Sequence, residues 1–188
     1  MATVRRSDYT YDNRDNLIAL TDPNDNRTRF TYDRNHLMVM ETRPMGEEAR
    51  FGYNALGYLT RVTDAKNRQT RYDYDVVAHL VAASTFAAAD HLAPIKTVSL
   101  TYDEVGNLTG YDDGVTSAAY SYDDLARKVT ETVNYGAVEL ASRTAWYANG
   151  AKKSFTGPDG ITYEYTYDAN NQLVSVAIPG QGFITVNA

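Results

Sequence analysis

Three histidines, several clustered aspartates and a few serines are the side chains of this 188-residue sequence with the most obvious chemical reach. His91 sits in Phe86-Ala87-Ala88-Ala89-Asp90-His91-Leu92-Ala93-Pro94, where it could serve as a base or metal ligand, but no carboxylate pair stands at a fixed spacing from it. His36 and His79 each precede a leucine, the place filled by Asn16, Tyr58, Asn107 and Gln172 elsewhere, and read as variable turn residues. Asp22-Pro23-Asn24-Asp25-Asn26 and Asp112-Asp113 offer oxygens to calcium. Neither has the ligand spacing and closing glutamate of an EF-hand loop, and turn formation explains both. Ser84, Ser121 and Ser154 lie in no Gly-x-Ser-x-Gly elbow or Ser-x-x-Lys, and no Walker loop or dinucleotide fingerprint occurs. The reading therefore assigns no catalytic residue, no cofactor or cofactor-binding residue and no metal ligand, and expects a protein that is not an enzyme. Asn26-Arg27-Thr28 and Asn107-Leu108-Thr109 are formal glycosylation sequons, meaningful only in a eukaryotic secretory route.

What recurs is a tyrosine followed by aspartate. Copies start at Tyr11, Tyr32, Tyr53, Tyr74, Tyr102, Tyr122, Tyr147 and Tyr167; the first four are 21 residues apart and the later gaps are 28, 20, 25 and 20. The companion residue is Asp in six copies, Asn54 in one and Ala148 in one. A fixed period decides architecture before any single residue does. One unit reads as strand, polar turn, strand, polar turn: Tyr9 to Tyr11, then Asn13 to Asn16, Leu17 to Thr21, and Asp22 to Asn26. Two short strands cannot bury a face alone, so neighbouring units must pair. The expected fold is all-β: tandem hairpins in a continuous curved antiparallel sheet, a single array of about eight units over 1–188, with insertions near 86–94 and 134–138. The first insertion permits a helical turn or an outward loop. Gly57 and Gly106, four residues after their tyrosines, suggest a backbone position with φ > 0, although Asp15, Ala78, Ala126 and Asn171 fill it in other copies. Aspartates stacked in register would repel, so each should accept hydrogen bonds from turn amides or arginines.

Sixteen tyrosines against five phenylalanines suit half-buried sheet positions, where the ring packs and the hydroxyl reaches a polar neighbour. At 43% hydrophobic the chain has material for one ordinary core. A net charge of −6 offers no basic stripe for nucleic acid. Cysteine is absent, which excludes disulfides and thiolate metal sites. No apolar run reaches transmembrane length, so membrane insertion is not expected. Met1 to Asp8 lacks the apolar stretch of a signal peptide, so Sec export of this chain on its own is not expected either.

Tyr102-Asp103-Glu104-Val105-Gly106-Asn107-Leu108-Thr109 matches the Tyr-Asp-x-x-Gly-Asn/Arg-Leu core of the YD repeat, and over residues 7–187 the chain resembles an Rhs/YD-repeat protein. That class includes bacterial Rhs polymorphic toxins, toxin-complex shell proteins and, distantly, teneurins. The resemblance implies a ribbon of sheet that spirals into a hollow shell around a toxin domain; eight units would form an arc of an Rhs-type shell. It implies a shell fragment, a truncated relative or one piece of a larger assembly, since the sequence shows no autoproteolytic Rhs core block. Its partners would be further YD-repeat polypeptide or an enclosed toxin domain. It would be secreted or at the cell surface via a specialised secretion system, and cytoplasmic before export. The other function weighed is a binding module for a surface glycan or protein receptor, suggested by the tyrosines and the two insertions.

Overall fold

A computed structural model describes residues 6–180 and the backbone of 182–185. The fold has two compact units, residues 1–97 and 98–188. The first holds β1 (Asp8–Tyr11), β2 (Leu17–Thr21), β3 (Arg27–Tyr32), β4 (Met38–Thr42), β5 (Glu48–Tyr53), β6 (Leu59–Thr63), β7 (Gln69–Tyr74), β8 (Leu80–Phe86) and the start of β9 (Pro94–Tyr102). The second holds the rest of β9, then β10 (Leu108–Asp112), β11 (Ser117–Tyr122), β12 (Lys128–Asn134), β13 (Glu139–Trp146), β14 (Lys152–Thr156), β15 (Thr162–Tyr167), β16 (Leu173–Ile178) and β17 (Gly182–Thr185). Within each unit every strand pairs antiparallel with the next, so each is a meander of hairpins without a helix among the described residues. The all-β expectation from the repeat is met. The alanine-rich segment before Pro94 is a loop of bends, not a helical turn. The second insertion is a tight four-residue reversal, with the Tyr135 amide donating to the Val138 carbonyl at 2.8 Å.

The strands are joined by one recurring device. In twelve connections the first residue's N–H donates to the fifth residue's carbonyl and the fourth residue's N–H donates back to the first carbonyl, as in Asp12–Asn16 (2.9 and 3.3 Å). The fourth residue has φ > 0 in all twelve, from Gly106 (91°) to Ala126 (58°). Glycine is free there; Ala78 and Ala126 are held there against their Cβ sterics. The device also closes hairpins that no repeat tyrosine opens. Asp22–Asn26 and Asp64–Arg68 have the same geometry as the connections that follow the repeat tyrosines. What differs is the ladder. Beside every Tyr-type connection the register slips by one residue, as between Thr10 and Tyr11 or Ser121 and Tyr122, whereas Thr21↔Arg27 and Thr63↔Gln69 close without a slip. The residue left over is Ile18, Val39, Thr60, Val81, Thr109, Val129, Lys153 or Val174, β-branched in seven cases. Such bulges sharpen the local strand twist.

Cross-strand pairing sorts the side chains onto two faces. In the first unit one face collects Tyr9, Leu20, Phe30, Phe51, Val62 and Tyr72. In the second it collects Tyr111, Tyr120, Phe155, Tyr163 and Tyr165. The opposite face is Thr, Ser, Ala and Arg. Hydroxyls pair across it at Ser84–Thr97 (3.0 Å), Thr156–Thr162 (2.8 Å) and Thr166–Ser175 (2.7 Å). Nothing within either unit packs on the aromatic face. Ala19, Phe86 and Ala118 are the only buried hydrophobic residues among those described, and no large side chain is fully buried. The composition promised an ordinary core, but its apolar residues are dealt out one or two per strand along a single layer. The chain accordingly exposes 13164 Å², where a compact chain of this mass exposes about 9,000 Å².

Candidate functional site

The repeat tyrosines end strands, and in three units the hydroxyl reaches sideways. Tyr53 donates to the Met38 carbonyl (2.8 Å), Tyr74 to Leu59 (2.9 Å) and Tyr122 to Leu108 (2.8 Å). In each case the acceptor is the residue six after the preceding unit's tyrosine, so one unit is tied to the one before. Trp146 does the same through its indole N–H, which donates to the Lys128 carbonyl at 3.0 Å. The turn bonds agree: Tyr147 N–H donates to Ala151 and Trp146 pairs with Lys152. In this copy Trp146 stands in the tyrosine position and Tyr147 in the aspartate position, one residue earlier than the Tyr147 start read from the sequence. Burial, then the Asp33 charge, holds the Tyr53 phenol above its ordinary pKa; burial, then Glu131, does so for Tyr120.

The aspartate of each unit organises its own turn. Asp103 Oδ1 accepts the amides of Val105 (3.1 Å) and Asn107 (2.8 Å), and Oδ2 accepts the Asn107 side-chain amide (2.9 Å). Asp12, Asp22 and Asp123 repeat this, with Asn16, Asn26 and Arg127 supplying the last donor. Those side-chain donors, then the turn amides, hold Asp12, Asp22, Asp103 and Asp123 below the usual carboxylate range. For Asp64 the Arg68 backbone amide is the largest cause. At Asp75 desolvation pushes upward most, but the His79 and Val77 amides and the His79 ring together bring it down. Asn54 accepts the same two amides without a charge, from Leu56 and Tyr58 at 3.0 Å. Where the first turn residue has no acceptor, the third takes over: Asn149 accepts from Ala151 and Asp159 from Ile161.

The histidines are all tied into this framework. His79 holds Asp75 at 3.1 Å in the slot of Asn16 and Asn107. His36 lies one place earlier than that slot. It is the fourth turn residue, φ 64°, because its copy has one residue fewer between tyrosine and leucine, and its Nδ1 meets Asn16 Oδ1 at 2.8 Å. His91 pins the inserted loop: its Nε2 meets the Asn67 carbonyl (2.8 Å), its own carbonyl accepts from Arg71 (2.9 Å), and Asn67 donates to Ala88 (2.9 Å). Asp22 and Asp113 spend their oxygens on turn donors. Ser84 and Ser121 pair with the hydroxyls of Thr97 and Thr130. Among the described residues no three His, Asp or Glu side chains gather where they could hold a metal ion. A hollow of the second unit, about 270 Å³, is lined by Lys128, Glu131, Ser142, Thr144, Trp146 and Phe155 among others. Lys152 stands 5.5 Å from the Phe155 ring centre and 5.7 Å from that of Tyr165. Sequence reading missed this hollow, because Trp146 and Phe155 become neighbours only through the β13–β14 register.

Residues 11–48 match the RHS Repeat family model, and residues 83–188, more than half of the chain, match the Teneurin YD-shell model. Three solved structures resemble the fold. A chain of TcdB2-TccC3 without its hypervariable C-terminal region is 20% identical, with a TM-score of 0.61 over 96% of this chain and 9% of that one. A chain of TcdB2-TccC3-Cdc42 is 21% identical, with a TM-score of 0.61 over 96% and 10%. A chain of the Photorhabdus luminescens Tc holotoxin pore is 20% identical, with a TM-score of 0.60 over 96% and 9%. The chain thus spans about a tenth of the length of the solved chains it matches. No curated protein matches it. With its paired turns, its unit-to-unit aromatic bonds and the Teneurin YD-shell match over most of its length, the chain belongs to the Rhs/YD-shell repeat family.

Proposed function

We propose that this chain is a structural segment of a shell-type scaffold in a toxin system, one array of eight units that joins further YD-repeat polypeptide to carry or enclose a toxic polypeptide. One observation carries the reading: in each unit the meander has no second layer of its own, and among the described residues only Ala19, Phe86 and Ala118 are buried hydrophobics, with 13164 Å² exposed in all. Stable domains bury a sheet face against a second layer, so the missing layer is supplied by other polypeptide. The turn carboxylates are committed to local amides, which suits a scaffold better than a catalyst. The likeness to chains of toxin complexes supports the same role. Export by a specialised route belongs to this proposal. The test is protease protection: the polypeptide encoded beside this repeat array, produced with and without it, is digested over time. Slower digestion in the presence of the array is expected; equal rates would sink the enclosure reading.

A second reading has its own observation, the hollow between Trp146 and Phe155. Aromatic planes beside Glu131, Ser142 and Thr144 suit a sugar ring or a receptor side chain. A glycan array with Trp146→Ala as control decides it: binding that survives the substitution removes this site.

A further inference from the structure

The polar face of the first unit carries a feature hidden by the net charge. Arg29, Arg50 and Arg71 each stand three residues before a repeat tyrosine, so the 21-residue period places one on each of β3, β5 and β7. Register puts them all on the same face: Arg29↔Thr42↔Glu48, then Arg50↔Thr63↔Gln69, two residues from Arg71. Alternate strands lie about 10 Å apart and each arginine stands two residues, about 7 Å, further along its strand, so the three form a diagonal line with a spacing of about 12 Å. Arg61 on β6 joins the line directly opposite Arg71, and its side chain lies against the bare backbone of Gly52, 3.5 Å from where a Cβ would stand. Between β2 and β8 this face bears Arg27, Arg29, Arg50, Arg61 and Arg71 against Glu48 and Asp73, and the same face of the second unit is mostly Ser, Thr and Ala. Arg50 pairs with Glu48 (2.6 Å), and Arg71 bonds Gln69 (2.6 Å) and stacks 4.2 Å from the Phe86 ring centre. Arg29 and Arg61 make no hydrogen bond or ion pair among the described residues, and both are exposed. Like charges directly opposite on a ladder destabilise it, so Arg61 facing Arg71 carries a cost that an anion bound beside them would relieve.

We infer that this face docks an acidic, extended polypeptide segment running across β3 to β7. An extended chain advances about 3.3 Å per residue and turns every second side chain to the same side, so a carboxylate at every fourth residue, about 13 Å on, faces successive arginines. The uncommitted guanidiniums of Arg29 and Arg61 can each hold a carboxylate through two parallel N–H···O bonds, while Arg50 and Arg71, already bonded to Glu48, Gln69 and the His91 carbonyl, add positive charge to the line. A uniformly charged polyanion fits less well. Five of the seven such turns in the first unit open with an aspartate, and the net charge of the chain is −6, so the edges of this face repel dense negative charge while sparse carboxylates are accommodated. The inference goes beyond the scaffold proposal and does not depend on it, since an enclosed or a free partner would dock alike.

The test is fluorescence anisotropy of the full chain with three labelled probes: a twelve-residue peptide with Glu at every fourth position, a peptide of equal composition with its Glu residues in one block, and a sulfated oligosaccharide. The spaced peptide should bind at least tenfold more tightly than the other two and weaken as salt rises. The double variant Arg29→Gln/Arg61→Gln should lose at least tenfold of that affinity. Arg29→Lys/Arg61→Lys, which keeps the charge, should retain part of it, and the turn variant Arg14→Gln/Arg34→Gln all of it. Circular dichroism confirms that each variant is folded, and the lysine pair with the salt series serves if the glutamine pair is not. Absent binding, equal affinity for the block peptide, tighter binding of the sulfated oligosaccharide, or an unchanged glutamine variant each overturns the inference. The protease-protection result above would be unaffected by any of these.

Discussion

Tyr122 and Trp146 perform one task with different atoms: an aromatic ring at a strand end donates a hydrogen bond to a carbonyl of the preceding unit. That defines the repeat position by donor and reach rather than by the letter Tyr. A net contribution of about 1 kcal/mol per bond is expected. Tyr122→Phe and Trp146→Phe should each lower stability by about that amount in urea unfolding, while Tyr147→Phe, whose hydroxyl makes a longer, exposed bond to the Tyr165 carbonyl (3.2 Å), should cost less. Ala126 makes a test of opposite sign. It holds φ 58° where other copies use glycine, so Ala126→Gly should raise the urea midpoint, by up to about 1 kcal/mol in stability. The tyrosines and their partnership with aspartate were legible in the sequence, because both recur at a constant offset. The seventh unit was misread by one residue because tryptophan carries no visible sign that it replaces tyrosine. His36 was misplaced because leucine, not backbone geometry, served as the marker.

At the scale of the strand and turn, the carboxylates bind each connection. The pKa values of Asp12, Asp22, Asp64, Asp75, Asp103 and Asp123 are lowered on folding. Groups with a depressed folded pKa stabilise fully above the unfolded value, near 3.8, and lose that contribution as pH falls through the folded one. The urea midpoint should therefore be flat near neutrality and fall below about pH 4. Asp103→Asn, which keeps an acceptor as Asn54 does, should stay folded at neutral pH and show a shallower acid fall; an unchanged acid limb would mean that this turn plays no part in it. Turns and strands were readable from clustered Asp, Asn, Gly and Pro. That twelve connections, at both kinds of strand end, use the same five-residue geometry was not, since its bonds are mostly backbone to backbone and the leading residue can be Asp, Asn, Arg43, Tyr147 or Gly157. The bulges escaped notice for a related reason: an extra β-branched residue leaves the alternation of a short strand nearly intact.

For the whole molecule, the repeat and its period were enough to anticipate an all-β meander, whereas burial was not. The hydrophobic fraction measures supply of apolar residues and says nothing of whether a second layer exists to receive them. The arginine line was invisible for the same reason, because net charge averages over a chain that the fold sorts by face. The central claim is that the open layer is completed by other polypeptide, and exposed strands and faces of this kind favour association. Light scattering of the chain alone and mixed with a second YD-repeat polypeptide tests it most directly. The account predicts a mass above that of the 20.9 kDa chain, by self-association or by complex formation on mixing; a stable monomer that stays at that mass in the mixture would contradict it.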